Sequence, residues 1–132
     1  MSGNGLKVLV VDDDKFLLDM YSIKFSEHDF TVETVSGAEE ALTRIESGFV
    51  PMVCLVDIVM PGMDGLELVK KLKARADLAN TAIIILSNLG QKDDVDKGLA
   101  VGADGYIIKA TATPSEVVAK TIDIAKQKGI SF

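Results

Sequence analysis

"VLVVDDDKF", residues 8–16, runs four apolar residues straight into three aspartates, Asp12, Asp13 and Asp14. An unbroken apolar run of this kind is what a strand buried on both faces requires. Three like charges then crowd its end. Two carboxylates about 5 Å apart, at an effective dielectric near 20, repel by roughly 3 kcal/mol. Either they splay into water or a cation sits among them.

The same grammar recurs along the chain. Apolar runs at Leu6–Val11, Phe30–Val35, Met52–Val56, Ala82–Leu86 and Gly105–Ile108 alternate with helical patterns. Four of these five runs are continuous and read as strands buried on both faces, whereas "TVETV" alternates polar with apolar and suits an edge strand. Ser36 with Glu39 reads as a capping box before "AEEALTRIES". Thr113, Pro114 and Glu116 read as the start of the last helix, and Gly48, Gly102 and Gly129 as helix stops. Asp14 falls one residue beyond the acidic pair and reads as the cap of the first helix, "KFLLDMYSIKF". "QKDDVDK" reads as the solvated start of the fourth helix. Strand and helix alternating five times predict an α/β fold, a doubly wound five-stranded parallel sheet with helices on both faces. In such sheets ligands bind beyond the carboxyl ends of the strands, where the strand order reverses.

Composition narrows the classes. At 132 residues and 48% hydrophobic, the chain suits one domain with a real core. A net charge of -6 argues against a nucleic-acid footprint. No apolar stretch approaches the roughly 18 residues of a membrane span, and the polar start "MSGNG" carries no hydrophobic signal segment. The single cysteine, Cys54, lies inside "MVCLV" and reads as a small buried hydrophobe. Together these point to a reducing cytoplasm. His28, in "SEHDF", reads as a surface residue at a helix end.

Four strand ends carry chemistry: Asp12 and Asp13, Asp57, Ser87 and Lys109. If the strand order is 2-1-3-4-5, strands one and three are neighbours at the switch point, and Asp12, Asp13 and Asp57 then converge. Hard oxygen ligands in that number favour Mg²⁺. A carboxylate can be the nucleophile for a phosphoryl group, a lysine can neutralise its charge and a hydroxyl can fix an oxygen. Asp57, Lys109 and Ser87 fit these roles. Pro61–Gly62 reads as a type II turn, with Asp64–Gly65 opening the next helix.

In "VVDDD", "LVDIVMPGMDG", "IIILSN" and "GYIIK", in that order and spacing, the sequence closely resembles the receiver domain of bacterial two-component response regulators, most of all the stand-alone chemotaxis kind. The resemblance runs over about residues 6–128 and implies a single receiver domain over 1–132 with a flavodoxin-like (βα)5 fold of strand order 2-1-3-4-5. It implies that Asp57 accepts a phosphoryl group from a phosphohistidine on a sensor histidine kinase or histidine phosphotransfer protein. Mg²⁺ would be bound by Asp13 and Asp57 directly, by Asp12 mostly through water, and by the backbone carbonyl of Val59. Ser87 and Lys109 would grip the phosphoryl oxygens. Tyr106 would change rotamer as Ser87 moves, altering the surface of helix four, strand five and helix five, where a downstream target binds and a homodimer could form. Such a protein is not an enzyme with a separate substrate; it catalyses only its own phosphorylation and dephosphorylation. The sequence ends soon after helix five, and is expected to be either a stand-alone receiver or one cut from a longer regulator.

Several positions depart from the family pattern. Ala110 follows Lys109 where the family has proline in a cis bond, and a trans bond there would re-aim the lysine. Asn88 stands where a small residue is common, lining the phosphate. Val59 and Leu89, two residues beyond Asp57 and Ser87, are apolar and are expected to hinder attack by water. The polar residues of the first helix, Lys15, Asp19, Ser22 and Ser26, form one narrow stripe; the rest, including Phe16, Leu17, Leu18, Met20, Tyr21, Ile23 and Phe25, is more apolar surface than one sheet face needs, which suits docking on a partner's helical bundle or, equally, a wide core stripe. Three other readings compete. One is an aspartate-nucleophile phosphatase of haloacid-dehalogenase type using Asp12 and Asp14, although Phe16 stands where that family has Thr or Val. The second, a flavodoxin, would need a phosphate loop in place of these carboxylates. The third is a pseudo-receiver without phosphate chemistry.

Overall fold

The computed structural model describes residues 6–131. Five strands, β1 (Lys7–Val11), β2 (Thr31–Val35), β3 (Val53–Val56), β4 (Ala82–Ser87) and β5 (Gly105–Ile108), form one sheet of order β2-β1-β3-β4-β5. All four pairings are parallel. Between and after them lie α1 (Lys15–Ser26), α2 (Ala38–Glu46), α3 (Gly65–Lys73), α4 (Lys92–Ala100) and α5 (Pro114–Gln127). The doubly wound fold is therefore the one the alternation of runs predicts.

Alternate strand residues feed two cores, because successive side chains leave a strand on opposite faces. Leu9, Val11, Cys54, Val56, Ile83 and Ile85 pack against α2 and α3. Val8, Val10, Leu55, Ile84 and Ile107 pack on the other face against Leu18, Tyr21 and Phe25 of α1 and Val117 and Val118 of α5. Cys54 is fully buried, which pushes its thiol pKa up to about 12, so it serves as core. No helix among the described residues is long and apolar enough to cross a membrane.

Most local signals act as the sequence suggests. Asp14 caps α1, accepting from the Leu17 N–H at 3.2 Å, and Asp64 caps α3, accepting from the Glu67 N–H at 3.0 Å. Thr113 and Glu116 form the reciprocal capping box of α5. Gly48, Gly102 and Gly129 follow their helices at positive φ, and Gly62 has the φ of 81° that a type II turn needs. His28 is exposed.

Two expectations need correction. Ser36 with Glu39 does not box α2. The N-cap is Gly37, and Ser36 turns its N–H and hydroxyl to the Glu40 carboxylate instead. One residue of slack before the helix moves the acceptor by one position. Gly105–Ile108 is not buried on both faces either: β5 closes the sheet's free edge, and only Ile107 is fully buried there. "TVETV" does take the opposite edge.

Candidate functional site

Register places the site. Val11 pairs with Val56, and Val56 pairs with Ile85, so β1 and β3 end level and β4 runs on to Ser87, which pairs with Ile108. The ladder continues one step further: the Asp12 N–H donates to Val35 O at 3.1 Å and the Asp57 N–H to Val11 O at 2.9 Å. Asp12 and Asp57 are thus fixed side by side by their own backbones. Lys109, the residue after β5, arrives from the far side.

One ligand oxygen from each of Asp12, Asp13 and Asp57 lies within 4.8 Å of the others. Asp12 is 1% exposed and Asp57 7%, while Asp13 faces solvent. The Lys109 ammonium sits 2.6 Å from Asp12 Oδ2 and 3.0 Å from Asp57 Oδ2, bridging the two buried carboxylates. The opening question is thereby answered in part by the chain itself, since this lysine offsets two of the charges. Asp12 Oδ1 accepts from the Asp14 N–H at 2.9 Å. Asp12 Oδ2 is buried, with the Lys109 ammonium as its partner. Three carboxylates gathered this closely fit a divalent cation with hard-ligand preference.

Burial raises the Asp12 pKa, more than the Lys109 pair and the Asp14 amide lower it. For Lys109 burial acts to lower the pKa, but the Asp12 and Asp57 carboxylates outweigh it, and the ammonium is held more tightly protonated than usual.

No peptide bond among the described residues is cis, and Lys109–Thr111 forms a single 3-10 turn. Lys109 reaches both carboxylates through a trans bond to Ala110, so the expected re-aiming leaves it in the site. Ser87 is buried and its Oγ accepts from the Leu89 N–H at 3.2 Å. The Tyr106 hydroxyl donates to the Leu89 carbonyl, so Ser87 and Tyr106 hold one loop residue from two sides. Asn88 is exposed, as are the Val59 (62%) and Leu89 (37%) side chains.

Two glycines, Gly65 and Gly98, set the close approaches around the site. A Cβ on Gly65 would lie 2.1 Å from the Asp57 carbonyl oxygen, so only glycine lets α3 start against the strand end that carries Asp57. A Cβ on Gly98 would lie 2.6 Å from Ile85 Cδ1 and 2.9 Å from the Tyr106 ring. Gly98 is the one fully buried residue of α4, so this helix rests on the sheet and on Tyr106 through a glycine. The Lys109–Asp12 contact has no signature in the sequence, which brings the lysine to the site but does not say which carboxylate it pairs with before a phosphoryl group arrives.

The family model for the response regulator receiver domain matches residues 8–121. This chain belongs to that family. The phosphate regulon transcriptional regulatory protein PhoB of Rhizobium meliloti is 32% identical over 82% of this chain and 47% of its own length. The two-component response regulator PhoP of Pseudomonas aeruginosa is 36% identical over 79% of this chain and 45% of its own. This receiver domain thus spans under half the length of those curated relatives. Among solved structures, the chemotaxis response regulator CheY4 of Vibrio cholerae superposes with a TM-score of 0.83 at 28% identity, covering 90% of this chain and 98% of that one. A BeF3-activated DrrB receiver domain gives 0.81 at 28% identity, covering 96% and 99%.

The raised Asp12 pKa has a sign that can be checked. A group whose pKa is higher in the folded protein favours folding when protonated, and that advantage is lost as pH rises through the folded pKa. Ionised Asp12 therefore opposes folding at neutral pH. In metal-free buffer, Asp12→Asn should raise the urea midpoint at pH 7, and the gain should close as pH falls toward the ordinary carboxyl value of 3.8. Equal or lower stability of the variant at pH 7 would contradict the burial argument.

Proposed function

We propose that this receiver domain carries a two-component signal by accepting a phosphoryl group on Asp57. The observation that supports this most is the Lys109 ammonium held between Asp57 and Asp12, with the Asp13 carboxylate alongside. A buried carboxylate with a cation already aimed at it can act as a nucleophile toward a phosphorus that brings more negative charge.

In the proposed reaction an Asp57 carboxylate oxygen attacks the phosphorus of a phosphohistidine. The new O–P bond forms as the N–P bond breaks, and the electron pair returns to the leaving imidazole, which is protonated by solvent. The product is an acyl phosphate. Asp13, Asp57, Asp12 and the Val59 carbonyl would hold Mg²⁺, and when bound it neutralises charge on the phosphoryl oxygens. Lys109 swings from the carboxylates to one phosphoryl oxygen, and the Ser87 hydroxyl donates to another. Asn88 and Leu89 line the same approach.

Turning the Ser87 side chain toward the phosphoryl group would release its contact with the Leu89 N–H. The loop it releases also carries the acceptor of the Tyr106 hydroxyl. Tyr106 in turn lies under Gly98. Modification of Asp57 thereby changes the face formed by α4, β5 and α5, which serves a downstream protein target or a second copy of the chain. The donor is a histidine kinase or histidine phosphotransfer protein in the cytoplasm. Phe16 (71% exposed) and Ile23 (55%), with half-buried Met20 between them, form an i, i+4, i+7 stripe that suits the donor's helical bundle; the core face of α1 is supplied instead by Leu18, Tyr21 and Phe25. The phosphatase reading is not favoured, because the Asp14 carboxylate is spent on capping α1.

Incubation with a small phosphodonor and Mg²⁺ should add the mass of one phosphate to the intact protein, and Asp57→Ala should abolish it. A gain that survives in that variant, or turnover of phosphate esters, would overturn the reading. Phe16→Ala should slow transfer from a phosphorylated kinase while leaving the small donor unaffected; equal slowing of both would reject docking on α1. The exposed, apolar Val59 and Leu89 side chains would obstruct the water that hydrolyses the acyl phosphate. Val59→Asn with Leu89→Glu should accelerate loss of phosphate about tenfold, by removing that obstruction and orienting water. An unchanged decay rate would remove them from this role.

A further inference from the structure

A groove of about 660 Å³ runs between α3 and α4, away from the carboxylates. Its basic wall is built from Lys70 and Lys71 of α3 and Lys97 of α4, and Leu66, Ala100 and Val101 add apolar lining. None of these three lysines takes part in an ion pair among the described residues, whereas Lys73, Lys92, Lys109 and Lys128 all do. Three lysines without ion pairs thus line one groove on a chain of net charge -6. Clustered on one groove, such a set attracts an anionic partner and orients it.

The charge is graded along the groove. Asp64 and Glu67 lie at the beginning of α3, and Lys70 and Lys71 one turn further on. The facing helix opens with Asp93 and Asp94, while Lys97 comes a turn later. A strand of uniformly charged phosphates would meet carboxylates at one end. A peptide can instead place its acidic residues against the lysines and apolar side chains over Leu66 and Val101. The wall that carries Lys97 is lightly anchored, since α4 buries only Gly98 fully.

We infer that the α3–α4 groove is a docking site for an acidic, leucine-bearing peptide segment of a protein partner. This names the chemistry of a downstream target and in that respect rests on the switching function proposed above. Because α4 sits on Tyr106 through Gly98, the groove's width follows the same contact that the switch alters.

The test is an NMR titration of the ¹⁵N-labelled protein with a short synthetic peptide of Asp, Glu and Leu. A peptide with Lys in place of the acids and a poly-uridine RNA serve as comparisons. The acidic peptide should give saturable shifts at the amides of Leu66, Lys97, Ala100 and Val101, and the lysine peptide none. Lys70→Glu with Lys97→Glu, both on exposed positions, should weaken binding about tenfold or more while the rest of the spectrum is preserved. Absence of shifts, shifts that the charge reversal leaves unchanged, or tighter binding of the RNA in the same groove would each overturn the inference. The titration uses unmodified protein, so it does not depend on Asp57. A failure of phosphoryl transfer sinks the switch and leaves the groove standing, and a failure of the titration does the converse.

Discussion

Everything at the functional end of this molecule depends on the parallel register of β1 with β3. Pairing Val11 with Val56 leaves Asp12 and Asp57 as the next residues on adjacent strands, and backbone hydrogen bonds hold both in place. A shift of one residue in either strand would send one carboxylate to the opposite face of the sheet. The hydrophobic pattern prevents that shift, since each strand feeds alternate residues into two separate cores. Fold stability and chemistry are therefore coupled through register. The core pays for a cluster of like charges that would not assemble by itself.

Lys109 makes that cluster tolerable. Taking one carboxylate out of water is costly, and taking two side by side more so, unless a cation comes with them. The lysine arrives from the sheet's edge strand and contacts both. It does not fully offset the burial of Asp12, whose pKa stays raised. The resting site is thus built with an electrostatic deficit that a divalent cation or a phosphoryl group would redistribute. Around it, Gly65 brings α3 against the strand end, and Gly98 brings α4 against Tyr106. Two missing side chains let the surrounding helices lie close enough to respond.

The sequence makes most of this legible. "VLVVDDD", "MVCLVD" and "AIIILS" are unambiguous as buried strands that end in polar residues, and the caps at Asp14, Asp64 and Thr113 act as their residue types suggest. What the sequence leaves open depends on distance. Gly65 looks like an ordinary turn glycine until the neighbouring carbonyl is located. Ser36 looks like a helix cap until the helix is seen to begin one residue later. "GYIIK" is as apolar as an interior strand, yet it closes the sheet's edge, because a short run gives no information on how many neighbours it has. In the α3–α4 groove, Lys97 is remote in the chain from the adjacent pair Lys70 and Lys71, and only the fold brings α4 beside α3.

The central claim is that carboxylates from two adjoining strands gather around one cation. Calorimetric titration of Mg²⁺ into the metal-free protein tests it most directly. Saturable binding to a single site is predicted, abolished in Asp13→Asn and in Asp57→Asn while both variants stay folded. No measurable heat at any attainable Mg²⁺ concentration, or binding that survives both substitutions, would contradict it.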